Sequence, residues 1–304
     1  MTAARHPRNA AASVRARLLN LSRARHVEFQ LLLSEFAIER LLYRLGVSPH
    51  AERFVLKGAM LFRLWPDAPN RATWDLDLLG RDTHSVAEVT AAIRELTGIS
   101  AEDGLVFDAA SVAGDEIRAA NEYAGVRVRL EARLAEARIP MQVDVGFGDA
   151  VTPAPRREDY PTLLDHPPPS VFVYPREAVV AEKLEAIVSL GVTNSRMKDF
   201  YDVYVLASAF SFEGPVLRQA IRATFLRRHT PFPETEPLVL SREFLSAPER
   251  QTPWRAFLRR GRLPAPPDAG DLADALRRFL VPVLQAAARD GEFPAVWNSG
   301  GPWR

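Results

Sequence analysis

The stretch RATWDLDLLG, residues Arg71–Gly80, places two aspartates among apolar residues that otherwise predict a buried strand. In a strand, the side chains of residues i and i+2 point to the same face, about 7 Å apart. Asp75 and Asp77 are therefore expected on one face, while Leu76 and Leu78 face the core. Two carboxylates at this spacing repel each other unless a positive charge lies between them. A divalent cation is the simplest source of that charge.

A third carboxylate, Asp144, lies in the stretch PMQVDVGFG, residues 140–148. Apolar and polar residues alternate here, which predicts a strand with Asp144 on the face opposite the apolar row. Three carboxylates from two strands would suit two-metal phosphoryl transfer. The alternative is that Asp75 and Asp77 form a solvated strand face and that Asp144 caps a turn. The aspartates alone leave both interpretations open.

A glycine turn precedes the aspartates in the stretch FVLKGAMLF, residues 54–62. We predict a short strand that turns at Gly58 into a helix. Such a turn lets backbone N–H groups face a phosphate, and Lys57 would add a positive charge. Glycine is also common at ordinary strand–helix turns. The assignment of Lys57 and Gly58 to nucleotide binding therefore depends on their position before Asp75.

The composition excludes several classes of protein. The chain has 304 residues, a formal net charge of +1 and no cysteine, so disulfides, zinc–thiolate sites and cysteine nucleophiles are excluded. The six histidines show neither metal-ligand spacing nor a serine-centred elbow motif. We find no pattern of a signal peptide or a transmembrane helix and expect a cytoplasmic protein without a membrane partner. Only three of the 39 basic residues are lysines, namely Lys57, Lys183 and Lys198. Either these positions require a compact ammonium group or the lysines survive by chance.

The periodicity of the chain predicts an α+β N-terminal half and a helical C-terminal half. The predicted domains are N-terminal helices over 1–50, a core with the Asp-x-Asp pattern over 51–165 and a helical domain over 166–304. PDAPNRAT, residues 66–73, is predicted as a loop. The proline-rich segment 151–170 is predicted as a crossing between subdomains. Further helices are predicted over 13–45, 84–98, 175–191 and 196–210, and further strands over 104–112 and 125–134.

Four stretches in this order resemble the AbiEii/AbiGii nucleotidyltransferase-like toxins, which have the MenT toxins as relatives. They are FVLKGAMLFRLW with RATWDLDLLG, then MQVDVGFGD, VVAEKLEAIVSLG and NSRMKDFYDVYVL. The resemblance runs from about residue 15 to residue 210. It implies a DNA polymerase beta-like nucleotidyltransferase domain with a mixed sheet, followed by a mostly helical C-terminal domain.

The resemblance also implies roles for individual residues. Asp75 and Asp77 would bind the metal ion and act in catalysis, with Asp144 as a third metal-binding carboxylate. The lysine of the family's later helix falls on Lys183, and its final aspartate falls on Asp199, with Asp202 as a close competitor. The nucleotide-binding residues would be Lys57, Gly58, Thr73 and Asp202.

Two features of the helical half leave alternatives open. Lys183 could bind nucleotide phosphates, or could form ordinary solvent pairs with Glu182 and Glu185. The acid beside it could orient Lys183 or act as a general base. Several arginines could follow an RNA backbone or could be ordinary surface residues. They are Arg127, Arg129, Arg227, Arg228, Arg259 and Arg260.

The function that the resemblance implies is that of a toxin–antitoxin enzyme. A Mg²⁺-dependent (or Mn²⁺-dependent) nucleotidyltransferase would transfer nucleotides from an NTP to an RNA acceptor, with the tRNA 3′ end as the first expectation. A cognate antitoxin protein would neutralise it. One alternative is a metal-dependent ribonuclease that uses the same carboxylates without an NTP. Another is a non-catalytic nucleotide- or RNA-binding protein.

Overall fold

The computed structural model describes residues 7–65, 73–82, 85–117, 125–264 and 268–304. These residues fall into two compact units. The described part of the first unit is 7–64, 73–82, 85–117, 125–148 and 156–173, and that of the second is 65, 149–155, 174–264 and 268–304. The loop predicted over 66–73 lies outside the described residues except for Thr73.

The first unit begins with two helices, α1 (Pro7–Arg25) and α2 (Phe29–Gly46), which confirm the helices predicted over 13–45. A buried ion-pair cluster joins α2 to the segment after α3 (Val86–Thr97). The carboxylate of Asp103 binds Nη1 of Arg44 at 2.6 Å and Nε of Arg40 at 3.1 Å. The charges are paired inside the unit, which is the condition for burying them.

Seven strands of the described residues form one sheet in the first unit. In chain order they are β1 (Phe54–Lys57), β2 (Asp75–Gly80), β3 (Leu105–Ile117), β4 (Gly125–Leu134), β5 (Ala137–Phe147), β6 (Arg156–Asp159) and β7 (Ser170–Val173). Their order across the sheet is β3-β4-β5-β2-β1-β7-β6. β2 runs parallel to β5 and β1 parallel to β7, while the other pairs are antiparallel. The mixed sheet confirms the predicted α+β class.

Two of these strands were not predicted: β6 lies in the segment 151–170 that was interpreted as a crossing, and β7 begins at the last residue of that segment. β6 has the sequence RRED and all its residues are exposed, so it lacks the apolar alternation that marks a strand. β7 follows three consecutive prolines and is only four residues long. The helix predicted after β1 is a 3-10 helix, Gly58–Leu64.

The second unit is helical, as predicted. Its helices are α4 (Arg176–Leu190), α5 (Met197–Ala209), α6 (Gly214–Arg227), α7 (Arg242–Ser246), α8 (Pro248–Gly261) and α9 (Ala269–Ala288). A small antiparallel sheet of β8 (Phe212–Glu213) and β9 (Val296–Trp297) was not predicted. α4 lies between Pro175 and Gly191, the two residues that were predicted as its boundaries. Within the described ranges, no helix is both long and apolar enough to cross a membrane.

Candidate active site

A row of charged residues crosses four neighbouring strands of the first unit. Strand register pairs Lys57 with Asp77, Asp77 with Asp144, and Asp144 with Arg127. Residues that are paired in this way share a face of the sheet. We call these four residues the charged row. Asp75 lies on the same face, two residues before Asp77 on β2.

The two faces of β2 are as predicted. Leu76 and Leu78 are each 1% exposed and belong to the core, whereas Asp75 and Asp77 are partly exposed. β5 repeats this pattern, because Asp144 is partly exposed and its apolar neighbours are buried. The alternation of buried and accessible side chains therefore brings carboxylates from two parallel strands to one accessible face.

Gly58 makes room for one of these carboxylates. Its φ angle is +75°, and a Cβ atom at this position would lie 2.1 Å from Oδ2 of Asp77. Glycine is required here both for the backbone conformation and for the close approach of the aspartate. The neighbouring Lys57 extends over β5, since its Nζ lies 3.9 Å from the point that a Cβ of Gly146 would occupy.

Thr73 lies at the start of β2. Its Oγ1 donates to the carbonyl oxygen of Asp75 at 3.3 Å and accepts from the Asp75 N–H at 3.4 Å. The hydroxyl therefore shapes the backbone that carries the first aspartate. This contact positions Asp75 and leaves the predicted role of Thr73 in nucleotide binding as a prediction.

Arg127 binds Asp144 through two parallel hydrogen bonds, a contact that the sequence interpretation missed. Nε donates to Oδ1 at 2.8 Å and Nη2 donates to Oδ2 at 2.7 Å. The hydrogen bond to Asp144 raises the pKa of Arg127, and the charges of Asp144, Asp75 and Asp77 raise it further. The apolar–basic alternation of β4 could have indicated that Arg127 faces the carboxylates, but only the strand register identifies its partner.

The oxygen donors of Asp75 and Asp77 fit a divalent cation such as Mg²⁺, which accepts one or two carboxylates and keeps several water ligands. The space at Gly58 leaves the Asp77 carboxylate unobstructed by a side chain there. In the parts of the chain that the structure describes, no group of three or more histidine or acidic side chains could hold a metal ion. The fit therefore rests on two carboxylates.

The second unit brings Lys183, Asp199 and Asp202 together. Nζ of Lys183 lies 3.0 Å from Oδ1 of Asp199 and 2.7 Å from Oδ2 of Asp202. Both aspartates are 1% exposed. Arg196 binds the other oxygen of Asp199 through its Nε at 2.8 Å. Asp199 and Asp202 therefore both contact the same lysine on α4. The sequence alone did not distinguish which of them is the functional acid.

The glutamates that flank Lys183 have a different partner from the one that their spacing suggested. Glu185 accepts from Nη1 of Arg228 at 2.6 Å, and Glu182 lies 3.4 Å from Nη2 of Arg228. Asp149 accepts from the same guanidinium at 2.9 Å. The side chain of Arg228 is 21% exposed and is surrounded by carboxylates. Glu182 and Glu185 are thus neighbours of Arg228, while the RNA contact of Arg228 stays a prediction.

Comparison with known proteins identifies the family. Two crystal structures from Helicobacter pylori are similar to this chain, each with a TM-score of 0.47 and 14% sequence identity. One is JHP933, where the similarity covers 86% of this chain and 94% of that one. The other is provisionally described as a nucleotidyltransferase, with 87% and 97% covered. Curated proteins give no match. A sequence model of the family "Nucleotidyl transferase AbiEii toxin, Type IV TA system" matches residues 40–280, and the chain belongs to this family of nucleotidyltransferase toxins.

Proposed function

We propose that this nucleotidyltransferase is a Mg²⁺-dependent toxin that transfers nucleotides from an NTP to the 3′ end of tRNA. The observation that carries the proposal is the accessible sheet face on which Asp75 and Asp77 lie beside Gly58 and Lys57. Membership in a toxin–antitoxin family supports an NTP substrate and an antitoxin partner. The choice of Mg²⁺ and of the tRNA 3′ end goes beyond what family membership supports.

Asp75 and Asp77 would hold the cation, for which Mn²⁺ is the natural substitute. When bound, the cation would neutralise negative charge on the triphosphate during transfer. Lys57 would add a positive charge beside it, and Gly58 would keep this part of the face open to the nucleotide. Thr73 would fix the backbone of Asp75.

Lys183 would bind phosphate oxygens of the nucleotide, as a compact ammonium group suits. Asp199 and Asp202 would orient its Nζ, because both contact it and both are almost completely buried. Two buried carboxylates that share one ammonium group are better placed to position Lys183 than to take a proton from a bulky RNA hydroxyl. The structure therefore favours the orienting role over the general-base role that the sequence left open.

The reaction itself needs little covalent participation by the protein. The oxygen of an acceptor hydroxyl forms a bond to the α-phosphorus of the NTP, and the bond from that phosphorus to pyrophosphate breaks. The hydroxyl proton passes to solvent or to a carboxylate. The residues of the chain have to hold the triphosphate and exclude competing orientations.

The test is a transfer assay with the full chain, Mg²⁺, total tRNA and each labelled NTP in turn. We expect one or more NTPs to label the RNA at its 3′ end, and excess EDTA to abolish the labelling. Blocking the 3′ hydroxyl by periodate oxidation should also abolish it. Labelling that survives periodate would contradict the tRNA 3′ end as the acceptor. Shortened RNA without any NTP would instead support the ribonuclease alternative.

A further inference from the structure

The ion pair between Arg127 and Asp144 limits what Asp144 can offer to a cation. One guanidinium engages both carboxylate oxygens, at 2.8 Å and 2.7 Å. Gln142 adds a hydrogen bond to Oδ2 at 3.3 Å. Two-bond arginine–carboxylate pairs are among the stronger and more directional contacts in proteins. Because each carboxylate oxygen has two lone pairs, Oδ2 is occupied by its two donors, and Asp144 could bind a metal ion through both oxygens only if one of these bonds broke.

Arg127 also acts on the other two aspartates through its charge. The charges of Asp75 and Asp77 contribute to the raised pKa of Arg127, after the hydrogen bond and the charge of Asp144. The guanidinium is therefore within electrostatic reach of both proposed ligands. A fixed positive charge near a carboxylate pair lowers the affinity of that pair for a second cation.

We infer that Arg127 is a positioning residue that keeps Asp144 away from the metal ion, so that Asp75 and Asp77 are the carboxylate ligands of the resting protein. The inference rests on the proposed function, in which Asp75 and Asp77 bind the cation. It agrees with the finding that the described acidic residues form no group of three suited to a metal ion. Asp144 then serves as the anchor of Arg127, and its own charge is largely neutralised by that contact.

The charges of the site should make its affinity for a free divalent cation low. Lys57 and Arg127 stand at the two ends of the charged row, with Asp77 and Asp144 between them. The row is formally neutral, and Asp75 adds one negative charge. We therefore expect weak binding of a free divalent cation, and stronger binding when nucleotide phosphates supply further oxygen ligands.

The test is a titration of the full chain with Mn²⁺ alone, in which electron paramagnetic resonance measures the free ion. We expect Arg127→Gln to tighten Mn²⁺ binding by about threefold to tenfold, because it removes a nearby cation and releases Asp144. The double variant Arg127→Gln/Asp144→Asn should lose this gain. If Arg127 instead orients Asp144 as a metal ligand, Arg127→Gln should weaken binding by about tenfold or more. The two accounts thus predict opposite signs.

The strand provides a matched control in Arg129. It lies on the same face of β4 as Arg127 and forms an exposed ion pair with Asp115 at 2.5 Å. Arg129→Gln should leave Mn²⁺ binding within about twofold, because Arg129 pairs with Asp115 on β3 and its exposed charge is screened by solvent and salt. If circular dichroism shows that Arg127→Gln does not fold, Arg127→Lys replaces it, since lysine cannot engage both oxygens of Asp144. Weaker Mn²⁺ binding by a folded Arg127 variant would overturn the inference.

Asp77→Asn separates failure of this inference from failure of the proposed function. It should weaken Mn²⁺ binding by at least about tenfold. Loss of a residue that only hydrogen-bonds to a metal ligand already lowers metal affinity by about that factor. If Asp77→Asn has no effect, the proposed metal site is wrong, whatever Arg127→Gln does. If both Asp77→Asn and Arg127→Gln weaken binding, the metal site stands and only the role of Arg127 is overturned.

Discussion

Gly58 and Asp77 approach so closely that any side chain at position 58 would overlap the aspartate. A Cβ atom on Gly58 would lie 2.1 Å from Oδ2 of Asp77, and the backbone there has φ of +75°. The relationship connects the turn after β1 to the carboxylate on β2 that we propose as a metal ligand. The absence of a side chain at Gly58 is therefore part of the candidate site and not only of the turn.

Gly58→Ala should abolish most nucleotide transfer and lower the free energy of unfolding by more than about 1 kcal/mol, because alanine is strained at positive φ and displaces Asp77. Labelled-NTP transfer and urea unfolding measure the two effects. Gly191→Ala is a matched control, since Gly191 has φ of +51° and no atom within 4 Å of an added Cβ. Equal loss of transfer in both variants would mean that contact with Asp77 is not the cause.

Lys183→Met should lower the free energy of unfolding by about 3 kcal/mol, because it leaves two buried carboxylates without their shared cation. It should also abolish transfer. Lys183→Met/Asp202→Asn should recover part of the stability and none of the transfer activity. Thermal and urea unfolding give the first result, and the labelled-NTP assay gives the second.

Lys198→Met is the control for this variant, because Lys198 lies exposed on α5. Its substitution should change stability by no more than about 0.5 kcal/mol. If Lys183→Met is as stable as the wild type, the buried contacts of Lys183 with Asp199 and Asp202 do not stabilise the folded protein.

Arg228→Met should destabilise the protein by about 3 kcal/mol without a specific loss of RNA affinity, because Arg228 is enclosed by Asp149, Glu182 and Glu185. The adjacent Arg227 is exposed, so Arg227→Met should change stability by at most about 0.5 kcal/mol. Urea unfolding and a filter-binding assay with tRNA measure these effects. A large drop in RNA affinity at full stability would support the RNA-contact interpretation of Arg228.

Glu39 on α2 should make stability depend on pH. Burial raises the pKa of Glu39 from its ordinary value of 4.5 to about 7, against the opposing effects of the Leu163 N–H, Arg40 and Arg63. Its carboxyl group binds a proton more tightly in the folded protein than in the unfolded chain. The protonated Glu39 therefore contributes its full share of stability below pH 4.5. As the pH rises from 4.5 to 7, the free energy of unfolding falls by about 3 kcal/mol.

Glu39→Gln should remove this dependence, since glutamine still offers an oxygen to the Leu163 N–H but does not titrate. Urea titrations at several pH values from 4.5 to 8 measure the difference in unfolding free energy between wild type and variant. A difference that stays constant across this range would contradict the raised pKa.

Much of the fold was predictable because its central elements carry strong local patterns. β2, β4 and β5 alternate apolar and polar residues, and α4 has a proline at its start and a glycine at its end. β6 was missed because an edge strand exposed on both faces has no apolar alternation. The sequence also could not show that the helix after Gly58 is a 3-10 helix. Apolar spacing over seven residues does not distinguish a 3-10 helix from an α-helix.

The residues of the candidate site could be predicted from the sequence, but their ion-pair and hydrogen-bond partners could not. The spacing placed Asp75 and Asp77 on one face, and only the register of β4 on β5 pairs Arg127 with Asp144. Similarly, sequence neighbours suggested that Glu185 would pair with Lys183. The partly buried guanidinium of Arg228, 43 residues away, binds that glutamate instead. Long-range partners of charged residues depend on packing, which local periodicity does not contain.

The most direct test of the account compares nucleotide transfer by wild type, Asp77→Asn and Asp115→Asn, with labelled NTPs, total tRNA and Mg²⁺. Asp115 is an exposed aspartate on β3 of the same sheet and contacts Arg129. We expect Asp77→Asn to lower transfer by at least about a hundredfold, because a proposed metal ligand is lost, while Asp115→Asn keeps wild-type activity. Equal labelling of RNA by wild type and Asp77→Asn would contradict the assignment of this sheet face as the active site.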